Sequence, residues 1–157
     1  MPKDEATFTP AMHRQLGVDL FNYTWKLIDK DDRTPDETEV MIHAAHASAY
    51  HWRQVGTPLI FSRSDWQISR VYSLLNRPEA ALYYAQHCLE ICEAEGIRDF
   101  DLAFAFEALA RAYAVDGKQD ETNRYFEMAR AAGEQIKEKD DRKYFFDELA
   151  TVPGVNG

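Results

Sequence analysis

The sequence of 157 residues predicts an all-α fold of three antiparallel helical hairpins followed by a C-terminal capping helix. Three observations support this prediction. Threonine–proline pairs mark where helices begin, glycines mark where they end, and a spacing of 41 residues relates successive segments. Almost no stretch alternates apolar and polar residues, as a half-buried strand would.

The helix starts are marked by Thr9-Pro10, Thr34-Pro35 and Thr57-Pro58. A threonine hydroxyl can cap the first turn, and proline suits the first helical position because an N–H there has no partner within the helix. Glu37 stands three residues after Thr34, which is the capping-box spacing. Asn76 precedes Pro78 and is expected to cap the fourth helix in the same way.

The helix ends are expected at Gly56, Gly96 and Gly117, because glycine adopts the left-handed conformation that terminates many helices. Short loops then make consecutive helices antiparallel neighbours within a single domain, residues 1–150. The tail, residues 151–157, is expected to be flexible. The predicted helices span roughly residues 10–30, 35–55, 58–75, 77–95, 99–116, 118–138 and 140–150, which gives hairpins at about 10–55, 58–95 and 99–138.

An internal repeat relates the hairpins. The segment Ser69-Arg70-Val71-Tyr72 matches Ala110-Arg111-Ala112-Tyr113, 41 positions later. The same step backwards takes Trp66 to Trp25 and His87 to His46. Repetition at a fixed period of this length is typical of stacked helical hairpins.

The repeated residues resemble the tetratricopeptide repeat (TPR) family. The third hairpin carries the pattern Leu109-Ala110…Tyr113…Gly117…Phe126…Ala129, and the second carries Ile68-Ser69…Tyr72…Asn76…Ala81…Cys88. The resemblance covers residues 58–138 well and 10–56 weakly. The repeat is longer than the family's period of about 34 residues, and Ser69 and Ala110 replace the family's glycine. The chain also resembles a group of uncharacterised bacterial TPR-like proteins with similar His-Trp and Ser-Arg-Val-Tyr patterns.

The resemblance implies a right-handed superhelix with a concave groove, and it places ligand-facing residues on the first helix of each hairpin. The helical spacing independently puts the residues of each hairpin on one face. Arginines beside a tryptophan can bind a carboxylate or phosphate and stack on a planar group. We therefore expect a non-catalytic module that binds a protein, a peptide or a small anionic ligand. The candidate residues are Arg63, Trp66, Arg70, Phe104, Glu107 and Arg111, with Asn22, Trp25 and Asp29 as first-hairpin counterparts.

The same charged residues have a structural alternative. Glu107 can pair with Arg70 and Arg111 and hold adjacent helices together, which leaves no free charge for a ligand. The residues alone do not decide between these two roles.

Three of the five histidines lie in the segment HAAHASAYHW, residues 43–52. Helical projection turns His51 about 80° away from His43, so the three do not converge as one ligand set. A metal-dependent helical enzyme that uses the region of His43, His46 and His51 stays open as an alternative. It would need Glu39 and a side chain from another helix to complete the ligands.

We favour a structural or binding role for these histidines, in a polar pocket formed by His46, His51, His87 and Tyr50. His13 is expected to be exposed. Catalytic patterns such as HExxH and GxSxG are absent from the sequence, so we predict no catalytic residue, no metal and no cofactor.

Composition limits the partners. The net charge of −9 predicts repulsion of nucleic acid and anionic membranes. No apolar run approaches the ~20 residues of a membrane span, and the first ten residues lack an apolar signal core, so a cytoplasmic location is expected. Cys88 and Cys92 are expected to be buried thiols. A further alternative is a homodimer that packs through Tyr144, Phe145 and Phe146.

Overall fold

The computed structural model describes residues 8–155, and within that range it contains seven α-helices and no strand. Consecutive helices pack as the hairpins α1–α2, α3–α4 and α5–α6. The all-α prediction is therefore confirmed, and the largest boundary difference is at α6, which ends at Glu134. The helices are α1 (Pro10–Ile28), α2 (Pro35–Val55), α3 (Pro58–Leu74), α4 (Pro78–Glu95), α5 (Asp99–Val115), α6 (Gln119–Glu134) and α7 (Lys139–Leu149).

Two of the three threonine caps form as predicted. The Thr9 hydroxyl accepts a hydrogen bond from the backbone N–H of Met12 at 3.2 Å. Thr34 accepts from the backbone N–H of Glu37 at 3.1 Å, and the Glu37 carboxylate accepts from the backbone N–H of Thr34 at 3.3 Å, which completes the capping box. Thr57 stands at the N-cap of α3, but its side chain makes no capping hydrogen bond.

Two of the predicted glycine terminations are confirmed, and two other predictions about helix boundaries are wrong. Gly96 and Gly117 have positive φ values of 65° and 74°, as expected for left-handed termination. Gly56 has φ −85° and extended backbone instead. Asn76 does not cap α4, whose N-cap is Arg77; it follows α3 with φ 57°, the same role that Gly117 has 41 residues later. Asparagine tolerates this conformation better than other non-glycine residues.

The second and third hairpins repeat the same internal contact. Tyr72 on α3 and Tyr84 on α4 stack at 6.1 Å between ring centroids, with their planes 16° apart. Tyr113 on α5 and Tyr125 on α6 stack at 5.6 Å and 7°. Each pair lies 41 residues from the other, so the sequence repeat corresponds to equivalent positions in the two hairpins.

The final helix, α7, packs on α5 and α6 through Phe145, which is fully buried. A Cβ atom at Gly133 would overlap the Phe145 ring, so glycine permits this close approach. Phe145 is therefore not available on the outer surface, and Tyr144, Phe145 and Phe146 do not form the exposed dimer face suggested above. Dimerisation through another surface stays a prediction that light scattering can test.

The first two residues of the tail, for which flexibility is predicted, contact the rest of the domain. Val152 is 3% exposed and belongs to the main core, and the Thr151 hydroxyl accepts a hydrogen bond from Arg111 at 2.8 Å. The remainder of that prediction falls partly on residues 156–157, which lie outside the described residues, as do residues 1–7. Within the described part of the chain, no helix has both the length and the apolar character needed to cross a membrane.

Candidate functional site

A cavity of about 360 Å³ lies between α1, α3, α5 and α7, and we call it the aromatic pocket. The repeat accounts for part of one wall, because the equivalent positions Trp25 and Trp66 on the first helices of two hairpins both contribute rings. Cys88 of α4 and the hydroxyl-bearing Ser62 of α3 also line it. Its aromatic residues are Phe21, Trp25, Trp66, Phe100, Phe104 and Tyr144.

Neighbouring rings of the aromatic pocket contact one another. Trp25 lies 5.3 Å from Trp66 between ring centroids, with the planes 46° apart. Trp66 in turn meets Phe104 edge-on at 4.9 Å. Tilted and edge-to-face contacts of this kind are the favoured arrangements for aromatic pairs. Trp66 and Phe104 are 9% and 3% exposed, so they form the floor, whereas Tyr144 is 44% exposed and stands at the rim.

Charged residues complete the rim. The Arg63 guanidinium donates to both carboxylate oxygens of Asp101, at 2.8 and 3.1 Å. This hydrogen bonding raises the pKa of Arg63, although partial burial opposes the shift. Asp141, at the start of α7, is exposed and lines the same rim. The rim therefore carries two carboxylates and one guanidinium.

Glu107, beneath the aromatic pocket, is fully buried and ionically paired. Its carboxylate accepts from Arg111 at 2.7 Å and Arg70 at 3.3 Å, and the Trp66 indole N–H donates to it at 3.5 Å. Burial acts to raise the pKa of Glu107, but the charges of Arg111 and Arg70 outweigh it and the pKa is lowered. The carboxylate is therefore held in its charged form.

The same network reaches α7. Arg70 forms a second ion pair with Glu148 at 3.0 Å. Arg111 donates to the Glu148 carbonyl at 3.1 Å and to the Thr151 hydroxyl at 2.8 Å. The charged residues therefore join α3, α5 and α7.

The structure thus separates the six predicted groove residues into two sets. Arg63, Trp66 and Phe104 line the aromatic pocket. The second set lies in the buried network, where the side chains of Arg70 and Arg111 are only 11% and 10% exposed. For the network residues Arg70, Glu107 and Arg111, this geometry corresponds to the structural alternative given above.

A second cavity of about 290 Å³ lies between α2, α3 and α4, and we call it the histidine pocket. Among the predicted polar residues, His46, His87 and Tyr50 line it together. The predicted set lacked five further polar lining residues. They are Arg53, Ser64, Asp65, Tyr83 and Tyr84.

Each histidine of this pocket has a defined partner. His46 Nε2 lies 2.8 Å from the Tyr72 hydroxyl, and burial, followed by the charge of His43, lowers the pKa of His46. His87 Nδ1 lies 2.6 Å from the Asp65 carboxylate. Burial raises the pKa of Asp65, and His87 opposes that shift. The Asp65 contact fixes the ring so that Nε2 is the nitrogen left for a further partner.

His51 does not belong to the histidine pocket. Its Nδ1 lies 2.9 Å from Nδ1 of His13, and the His13 side chain is buried rather than exposed as the sequence predicts. The reason is that α1 packs along α2 and brings His13 and Phe8 against the end of that helix. Burial, followed by the charge of His13, lowers the pKa of His51.

The remaining metal-ligating residue types do not converge. Across residues 8–155, no group of three or more His, Cys, Asp or Glu side chains has the geometry to hold a metal ion. Cys88 and Cys92 are free thiols, and both are buried as predicted. The arrangement can bind and orient a ligand at either cavity through rings and charged groups.

One sequence signal could have identified Asp65. At the same position in the other hairpins the repeat has Thr24, which is fully buried, and Phe106, which is half-buried. A carboxylate at a position that other copies fill with a small or apolar side chain needs a partner inside the protein. His87, one helix further along, is that partner.

Comparison with protein-family models, with curated proteins and with solved structures finds no match to this chain. The functional argument therefore rests on the geometry of the two cavities.

Proposed function

We propose that the chain is a non-catalytic binding module that takes a protein or peptide segment at the aromatic pocket. In this proposal the hairpins form a right-handed TPR-like superhelix, α7 is its capping helix, and the pocket lies in the concave groove. The contacts of α3 with both α1 and α5 support this, because they place the first helices of the hairpins side by side.

The observation that carries the proposal is an open cavity of about 360 Å³ with six aromatic side chains around it. That volume lies at the lower end of the range for ligand pockets and suits a single anchoring side chain. Aromatic residues at the centre of a pocket are the usual source of binding energy in protein interfaces. A partner would therefore insert one large side chain between Trp66 and Tyr144.

The charges favour a neutral or cationic anchor over an anionic one. Arg63 is paired with Asp101, and Arg70 and Arg111 are paired with Glu107. Asp141 makes no ion pair within the described range. A cation beside aromatic rings gains both from the carboxylates of the rim and from the ring faces. The small anionic ligand expected from the sequence is therefore better placed elsewhere on the molecule.

The proposal can be tested by selection from a random-peptide phage library, followed by fluorescence polarisation with the enriched peptides. Tyr144→Ala removes the ring at the rim, and Tyr23→Ala is a matched control. Both tyrosines are 44% exposed, and Tyr23 lines none of the cavities described above. Circular dichroism establishes that both variants keep their helices.

We expect enriched peptides that share an aromatic, Lys or Arg anchor and that bind Tyr144→Ala about tenfold more weakly, since one ring contact in a pocket contributes on the order of 1–2 kcal/mol. Tyr23→Ala should bind them as the unaltered protein does. Enrichment of peptides whose affinity is the same for both variants would place binding outside the aromatic pocket and refute the proposal, as would a library that yields no enrichment.

A further inference from the structure

The histidine pocket is separate from the aromatic pocket and has different chemistry. It lies between the second helix of the first hairpin and both helices of the second hairpin. Its apolar boundary consists of three rings and two aliphatic side chains, namely Phe61, Tyr83, Tyr84, Ile68 and Ala49. A flat apolar group of the size of one aromatic ring fits a volume of about 290 Å³.

Arg53 supplies a cation at the mouth of the pocket, and its charge acts to lower the pKa of Asp65. Its guanidinium carbon lies 4.7 Å from the centroid of the Phe61 ring, and the side chain is exposed at the mouth of the pocket. Over residues 8–155, no carboxylate lies within ion-pair distance of Arg53. The arginines beside the aromatic pocket differ in this respect, because each of them is paired.

His87 supplies a second donor. Its Nδ1 is held by Asp65 at 2.6 Å, and among the described residues Nε2 has no hydrogen-bond partner. Because Nδ1 faces the Asp65 carboxylate, Nε2 is the ring nitrogen that can meet a ligand, and it donates an N–H when both ring nitrogens carry a proton. Arg53 is the permanent cation of the pocket, and the Asp65 carboxylate is already engaged by His87.

Ser64 gives an independent indication that the pocket receives a polar ligand atom. It is 6% exposed and lines the pocket, yet its hydroxyl oxygen is buried with no hydrogen-bond partner among the residues described. Buried hydroxyl groups are rarely left in this state, because the loss of their hydrogen bonds to water is not compensated.

We propose that the histidine pocket binds a small organic carboxylate with a flat apolar body, of the benzoate class. The carboxylate is held by Arg53 and by Nε2–H of His87, and the ring lies between Phe61 and Tyr84. The site and its ligand are independent of the function proposed for the aromatic pocket.

The test is an NMR titration of the full chain with sodium benzoate and, separately, with benzamide, which has the same shape but no charge. The variant Arg53→Gln removes the unpaired cation at the exposed mouth of the pocket. Arg124→Gln is the matched control, because Arg124 is also exposed and lies over an aromatic ring, Tyr125, at 5.0 Å, but belongs to another hairpin. His87→Gln is the second variant; it retains a side-chain N–H donor but cannot form an imidazolium.

We expect benzoate to shift the resonances of His87, Tyr83 and Tyr84, and to saturate below about 10 mM. Benzamide should bind about tenfold more weakly than benzoate, and Arg53→Gln should weaken benzoate binding about tenfold. Arg124→Gln should leave benzoate binding unchanged. His87→Gln should weaken benzoate binding and leave benzamide binding unaffected.

Three results would overturn the proposal. These are the absence of saturable shifts, shifts that map away from this pocket, and equal affinity for benzoate and benzamide. A negative benzoate titration would not affect the proposal of peptide binding at the aromatic pocket. A failure of peptide binding would likewise not affect the proposal for the histidine pocket, so the two proposals are tested separately.

Discussion

The substitution Glu107→Gln tests whether the buried charge network is structural. It keeps the shape of the side chain but removes a fully buried negative charge, which interacts with Arg70 and Arg111. Breaking a buried ion pair by removing one partner costs roughly 3–5 kcal/mol, because the remaining charge has lost its compensation. The lower end applies here, since Arg70 retains its pair with Glu148 at 3.0 Å.

A loss of about 3 kcal/mol corresponds to a decrease in Tm of roughly 6–12 °C for a domain of about 150 residues. Urea denaturation monitored by circular dichroism would measure the free energy of unfolding directly. The matched control is Glu127→Gln, which also removes a carboxylate paired with an arginine. The Glu127 side chain is 62% exposed, so its loss should cost less than about 1 kcal/mol.

A loss below about 1 kcal/mol for Glu107→Gln would refute the reasoning, because it would mean that the two arginines find other compensation at no cost. Replacing Arg70, Glu107 and Arg111 together by apolar residues of similar volume should cost less than the single change, since no fully buried charge is left without a partner. Glu148 loses Arg70, but its side chain is 26% exposed and reaches water.

Three further predictions concern the caps, the packing and the pH dependence. Thr34→Ala should lower the free energy of unfolding by about 1 kcal/mol in urea denaturation, whereas Thr57→Ala, which loses no capping hydrogen bond, should cost only a few tenths. Gly133→Ala should lower it by about 1–3 kcal/mol in the same assay, because the new methyl group meets Phe145; an unchanged midpoint would show that α7 moves freely. The pKa of His46 is lowered in the folded protein, so the unfolded chain binds the proton more readily. The free energy of unfolding should therefore fall as the pH drops below 6.5. His46→Gln should reduce this dependence on pH, which unfolding curves measured across the range would show.

The helices were predictable from local signals because those signals act within one turn. Thr34 with Glu37, and the glycines at 96 and 117, form the caps and terminations that their residue types favour. Thr57 shows the limit of this reasoning, since the type and position are right but the side chain makes no capping hydrogen bond. Whether a hydroxyl turns toward the helix or away depends on neighbours that local sequence does not specify.

The candidate sites were predictable only as far as the repeat extends. The step of 41 residues correctly places Trp25 beside Trp66 and identifies the residues around Glu107. It cannot indicate the further contacts of these arginines, because Glu148 and Thr151 belong to α7 and its following turn, outside the repeat.

The histidines show the same limit. Helical projection turns His51 away from His43, but the predicted pocket still grouped His51 with His46. The partner of His51 is His13, on a different helix with no fixed spacing from it. Contacts of this kind depend on how two helices align along their length, which residue periodicity does not determine.

The contacts from Arg70 to Glu107 and Glu148 also bear on how the molecule opens. In an array where each hairpin touches only its neighbours, segments can unfold one after another from either end. Here one side chain of the second hairpin is bonded to the third hairpin and to α7 at once. Amide hydrogen exchange should therefore reveal α3, α5 and α7 as one cooperative unit with a common opening free energy, while α1 and α2, which lie outside that network, exchange through a separate opening of lower cost.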